Sequence, residues 1–114
     1  MLGAVLALAL PATAAAKEGA QAHLLAPLPV HPSAGTLITV RWTVDVPSED
    51  GGRVPFGAIG MFVRLVGRHG ASTTATAPQS YGPPYRVRIR VPRGGLRAIQ
   101  FGLHGTSDIF FPLK

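Results

Sequence analysis

Cysteine is absent from this chain, which removes disulfides, thiolate metal sites, cysteine nucleophiles and a lipidated cysteine together. A domain without those supports has to rest on its hydrophobic core. Carboxylates are scarce as well. Five Asp and Glu stand against eleven Lys and Arg, for a formal net charge of +6 and a pI near 11.2. The only close acidic pair, Glu49 and Asp50, falls in a glycine-rich turn, where solvation explains it better than acid/base work. No G-x-S-x-G elbow is present. His104-Gly105-Thr106-Ser107-Asp108 contains the residue types of a hydrolytic triad. A triad draws its members from separate elements, however, so three of them within five residues do not form one. With no convergent nucleophile, acid and base, the sequence argues against an enzyme.

No apolar run is long enough to span a membrane, which takes about 20 residues. The longest is MLGAVLALAL at residues 1–10, closed by Pro11 and followed by Ala14-Ala15-Ala16. That is the length of a signal-peptide core with small residues at its cleavage site. No lysine or arginine precedes it, so the positive n-region is only the terminal amine. Cleavage after Ala16 is expected, leaving a mature chain from Lys17 with no transmembrane span. The expected location is secreted or at the cell envelope.

Glycine and proline are abundant, at 14 and 11 residues, and 46% of the chain is apolar against 14% charged. This favours a packed core over disorder. Both residues are costly inside helices and useful in turns, so the fold class expected is all-β with many short strands. Residues 17–35 read as a leader and a proline-rich edge segment, with a first short strand at His23-Leu24-Leu25. Residues 36–46 carry the clearest pattern: Ile38, Val40, Trp42, Val44 and Val46 on one face, Leu37, Thr39, Arg41, Thr43 and Asp45 on the other. The segment 47–55 is a turn around Gly51-Gly52. Further strands are expected at 60–66, apolar on both faces and so central; at 72–77, polar and at an edge; and at 85–91, 96–103 and 108–113. About seven short strands with no helical period after Ala16 point to an immunoglobulin-like antiparallel β-sandwich. A small barrel is the competing architecture.

Val40-Arg41-Trp42-Thr43, Gly52-Arg53-Val54-Pro55-Phe56-Gly57-Ala58, Tyr85-Arg86-Val87 and Val91-Pro92-Arg93-Gly94-Gly95 together resemble bacterial extracytoplasmic immunoglobulin-like modules. The chain is most similar there to the YtkA-like group, and the resemblance covers most of residues 36–103. It implies a β-sandwich exposed outside the cytoplasm. Some members of that group are associated with copper handling. This chain lacks the methionine- and histidine-rich features of that role, so the resemblance carries over no site.

Two groups of residues are candidates for binding. Nine of the eleven basic residues are arginine. Arg86, Arg88 and Arg90 alternate along one strand and project from one face about 7 Å apart. Arg41 or Arg64 would join them if their strands neighbour that one in the same sheet. Such a face suits an anionic envelope component or an acidic protein; the plainer account is a solvated strand face whose arginine stems cover apolar surface. Nucleic acid is not expected, because no stacking aromatics are interleaved with the arginines. The second group is His23, His31 and His104, which with His69 are the only histidines. None is spaced as a local ligand pair. No metal or other cofactor is expected, and a small extracytoplasmic copper carrier using those three histidines is the alternative. The primary expectation is an exported, non-catalytic binding or structural module of the cell envelope.

Overall fold

The computed structural model of the protein describes residues 19–78 and 82–114. The signal segment expected at residues 1–16 lies outside them. Eight strands follow in order: β1 Gln21–Leu24, β2 Leu37–Pro47, β3 Arg53–Pro55, β4 Met61–Val66, β5 Ser72–Thr76, β6 Tyr85–Arg90, β7 Ala98–Leu103 and β8 Ile109–Phe111. A single 3-10 turn at Arg68–Gly70 joins β4 to β5. No α-helix occurs among the described residues, and none of their helices is long and apolar enough to cross a membrane.

The strands form two four-stranded antiparallel sheets. In the first, β2 is the spine. Trp42 pairs with Leu24 of β1 on one side and Tyr85 of β6 on the other. Asp45 pairs with Gln21 of β1 and Pro55 of β3. Thus β1 takes one edge, while β6 and β3 share the other in succession. The second sheet has the order β5-β4-β7-β8, which puts the threonine-rich β5 at an edge and β4 inside. The fold is an all-β antiparallel sandwich, as the strand pattern predicts.

Period-2 alternation explains why the sheets pack. Ile38, Val40, Trp42 and Val44 of β2, with Tyr85, Val87 and Ile89 of β6, are buried between the sheets against Met61, Val63, Leu65, Phe101, Leu103 and Phe111. Burying each large side chain contributes about 1.5–3 kcal/mol. Trp42 is fully buried, its ring 5.5 Å from that of Tyr85 and 5.4 Å from that of Phe101. Its Nε1 has no hydrogen-bond partner among the described residues. The Tyr85 hydroxyl does: it donates to the Phe56 carbonyl at 3.0 Å and accepts from the Ala58 amide at 3.1 Å. That single group fastens the long loop after β3 onto β6.

The sandwich has two ends. At one lie the N-terminus of β2, the C-termini of β4 and β6, and the start of β7. At the other lie the loops 48–52 and 104–108. The sheets also approach each other along their sides. The Thr73 hydroxyl donates to the Arg90 carbonyl at 2.6 Å, and Leu113 forms a parallel bridge with Ala22 on the free edge of β1.

Candidate functional site

The outer face of the first sheet carries the arginines. β6 alternates buried and exposed residues without exception, so Arg86, Arg88 and Arg90 all face solvent. The β2–β6 register then decides what lies beside them. Arg41 stands opposite Arg86, Thr39 opposite Arg88 and Leu37 opposite Arg90. Arg41 is exposed on the same face, so four arginines share one face of the sheet. Arg64 does not join them. It belongs to β4 in the second sheet, on the far side of the molecule.

Like charges placed directly across a sheet repel, and Arg41–Arg86 is such a pair. Among the described residues no carboxylate lies within ion-pair distance of Arg41, Arg86, Arg88 or Arg90. Arg90 donates from Nη1 to the Gly35 carbonyl at 2.9 Å. Asp45, the carboxylate on this sheet face, is already engaged. Arg53 Nε reaches its Oδ1 at 2.5 Å, and His23 Nε2 lies 2.7 Å from its Oδ2, a close contact rather than an aligned hydrogen bond. Arg53 also donates to the Gly19 carbonyl at 2.6 Å, tying the start of the described chain to β3.

Arg64 has a different setting. Its guanidinium lies over the rings of Phe62 (5.7 Å) and Phe110 (5.2 Å), and its Nε approaches the Thr74 hydroxyl at 3.4 Å. Phe62 points to the outer face of the second sheet yet is fully buried. His104 stacks on it at 4.2 Å, and Phe110 meets it edge-on at 5.6 Å. Gly102 opposite makes room: a Cβ there would fall 2.5 Å from Phe62 Cζ. The apolar character of both faces of β4 therefore has two sources, the sandwich core on one side and this local aromatic cover on the other.

The three candidate histidines are not brought together. His23 is on the outer face of the first sheet beside Asp45, and His104 is on the outer face of the second. His31 sits in the loop before β2 with a left-handed backbone, φ +53°. No group of three His, Asp or Glu positioned to hold a metal ion occurs among the described residues. Both ring nitrogens of His104 are occupied, Nδ1 by Asp108 Oδ1 at 3.1 Å and Nε2 by the Thr76 hydroxyl at 3.0 Å.

This last arrangement is one that reading the sequence alone misses. The 104–108 segment does pair its histidine with its aspartate, but the hydroxyl comes from Thr76 on β5, not from Thr106 or Ser107. His104 and Asp108 are substantially exposed, with 42% and 36% of their side-chain surface open to water. In that setting the three groups fix the ring that covers Phe62.

Among the described residues, two titratable groups depart from their ordinary behaviour. Burial raises the Tyr85 phenol above its usual range, a shift partly offset by the Ala58 amide. The Asp50 carboxyl is held low, first by the Ser48 hydroxyl and then by the Gly52 amide, within its turn. Neither belongs to the arginine face. Comparison with protein-family models, with curated proteins and with solved structures finds no match to this chain.

Proposed function

We propose that the protein is a non-catalytic, immunoglobulin-like binding module of the cell envelope that engages an anionic partner through the outer face of its first sheet. The observation that supports this most directly is the register that sets Arg41 opposite Arg86 in line with Arg88 and Arg90. Four like charges on one face of the sheet repel one another, and no described carboxylate offsets them. An anion laid across the face relieves that repulsion, and planar guanidinium groups suit phosphate and carboxylate oxygens. Export, the extracytoplasmic location and the signal segment belong to the same reading, supported by the composition of residues 1–16.

The test compares the chain from Lys17 onward with its Arg86→Gln/Arg88→Gln/Arg90→Gln variant for binding to isolated cell-envelope material at matched ionic strength. Salt-sensitive binding by the unmodified protein, lost in the variant, is the expected result. Equal binding by both proteins, or binding by neither, refutes the reading.

A further inference from the structure

We infer that a second anion site, separate from the arginine face, lies at the end of the sandwich where β4, β6 and β7 meet, and that it takes closely spaced phosphate groups. Its walls are the 3-10 turn at Arg68–Gly70 and the β6–β7 turn. The Arg68 amide donates to the Arg93 carbonyl at 3.2 Å, and the Arg97 amide donates to the Val66 carbonyl at 2.8 Å, so the turns are held against each other. Gly94 lies between them in the left-handed region, φ +83°, where a Cβ would be 2.6 Å from Arg68 Cβ. Only a glycine lets the Arg68 stem pass so close to the opposite turn.

Two adjoining recesses result. One, of about 330 Å³, is lined by His31, Pro32, Arg68, Gly94, Gly95, Leu96 and Arg97. The other, of about 500 Å³, is lined by Arg68, His69, Gly70, Ala71, Arg93 and Gly94. Arg68 and Gly94 belong to both, so a ligand could bridge the divide. Three arginines and two histidines therefore border a concave surface with no Asp or Glu.

The rest of the molecule sharpens this. Asp45, Glu49, Asp50 and Asp108, the described acidic residues, all lie towards the opposite end, in or beside the loops 48–52 and 104–108. The chain is thus polarised along its strands. A single carboxylate would leave three guanidinium groups under-neutralised. Two or more phosphates at short spacing match both the charge and the two-part shape, and arginine forks donate to phosphate oxygens two at a time. The two possible sources, a free oligophosphate and a layer of phosphate headgroups, offer the same chemistry.

The probe is inorganic tripolyphosphate, titrated into the protein at about physiological ionic strength, where exposed charges more than about 8 Å apart are screened. Calorimetry is run on the unmodified chain, on Arg68→Gln/Arg97→Gln and on Arg86→Gln/Arg88→Gln. Glutamine keeps the Cβ and Cγ of Arg68 that pack on Gly94, so the turns stay in place. The first variant is expected to bind at least about tenfold more weakly and to lose the amide shifts at this end, whereas the second keeps those end-site shifts whatever it loses at the strand face. Amide shifts in the unmodified protein, which need no variant, are expected to move at residues 67–71 and 93–97. Absence of tripolyphosphate binding at about millimolar concentration, or equal binding by the Arg68/Arg97 variant, overturns the inference. So do shifts confined to 37–41 and 86–90.

Vesicles of phosphatidylglycerol and phosphatidylcholine separate the sources. Vesicle binding displaced by tripolyphosphate identifies headgroups as the ligand; tripolyphosphate binding without vesicle binding identifies the free oligoanion. Because the Arg86/Arg88 variant is measured alongside, failure of this end site and failure of the strand face give different patterns.

Discussion

Replacing Tyr85 with phenylalanine isolates a single hydroxyl. The ring stays, so its packing against Trp42 at 5.5 Å is kept, and no cavity opens. What disappears is one hydrogen bond donated to the Phe56 carbonyl and one accepted from the Ala58 amide. Each is worth about 1 kcal/mol net, and a backbone group left unpaired in a part-buried place adds to that. Phe56 and Ala58 are only half-buried, so water reaches them in part. The expected loss is therefore about 1–3 kcal/mol, or roughly 4–8 °C in Tm for each kcal/mol. The raised phenol pKa adds a second signature. The folded state holds its proton more tightly than the unfolded chain, whose phenol titrates near 10, so this contribution is complete below about pH 10. It is lost as pH rises through the higher folded value. Urea unfolding of both proteins across neutral to strongly alkaline pH reads both effects. The gap between them should be widest near neutrality and narrow in alkali. A stability difference below about 0.5 kcal/mol at neutral pH, or a gap constant into alkali, would refute the role assigned to this hydroxyl.

Two further outcomes follow from the same geometry. Arg86→Thr removes one member of the Arg41–Arg86 pair and is expected to raise stability by about 0.2–1 kcal/mol at low salt. Chemical denaturation should find that gain shrinking as salt is added, and a loss of stability instead would mean the face is not under repulsion. Gly102→Ala puts a methyl group 2.5 Å from Phe62 Cζ and 2.6 Å from the Ile109 carbonyl. It should cost about 1–3 kcal/mol and expose Phe62, detected as broadened or shifted ring resonances in NMR; an unchanged spectrum counts against the aromatic cover.

The legible parts of this fold are those governed by local periodicity. β2 spans eleven residues with Ile38, Val40, Trp42 and Val44 buried on one face, and its orientation, and its limits to within one residue, follow from the sequence pattern. The same holds for β6, and for β5, whose threonines mark an edge. β3 was not legible. Its three residues are all exposed and sit where glycine and proline signal a turn; they become a strand because β2 runs on past Val44 and offers Asp45, Val46 and Pro47 as partners. The site followed the same division. That Arg86, Arg88 and Arg90 share a face is a property of one strand. That Arg41 joins them and Arg64 does not is a property of strand order, which local pattern does not encode. Thr76 meeting His104 depends on two registers at once, Phe62 with Thr76 and Met61 with Leu103. The basic end is not encoded in local pattern, for a related reason. Arg68, Arg93 and Arg97 fall in two turns that read as simple chain reversals until their close packing is seen.

The bridge between Ala22 and Leu113 bears on the order of folding. The Ala22 amide donates to the Pro112 carbonyl and the Lys114 amide to the Ala22 carbonyl, both at 2.9 Å. The free edge of β1 is thus covered at Ala22 by residues 112–114. Pairing so distant in sequence closes the longest loop among the described residues, a non-local contact of the kind that is slow to form. Until residues 112–114 arrive, β1 has an open edge able to accept any extended strand in reach. A chain caught before that moment presents a ready place for another polypeptide to pair, and the final residues act as its gatekeeper.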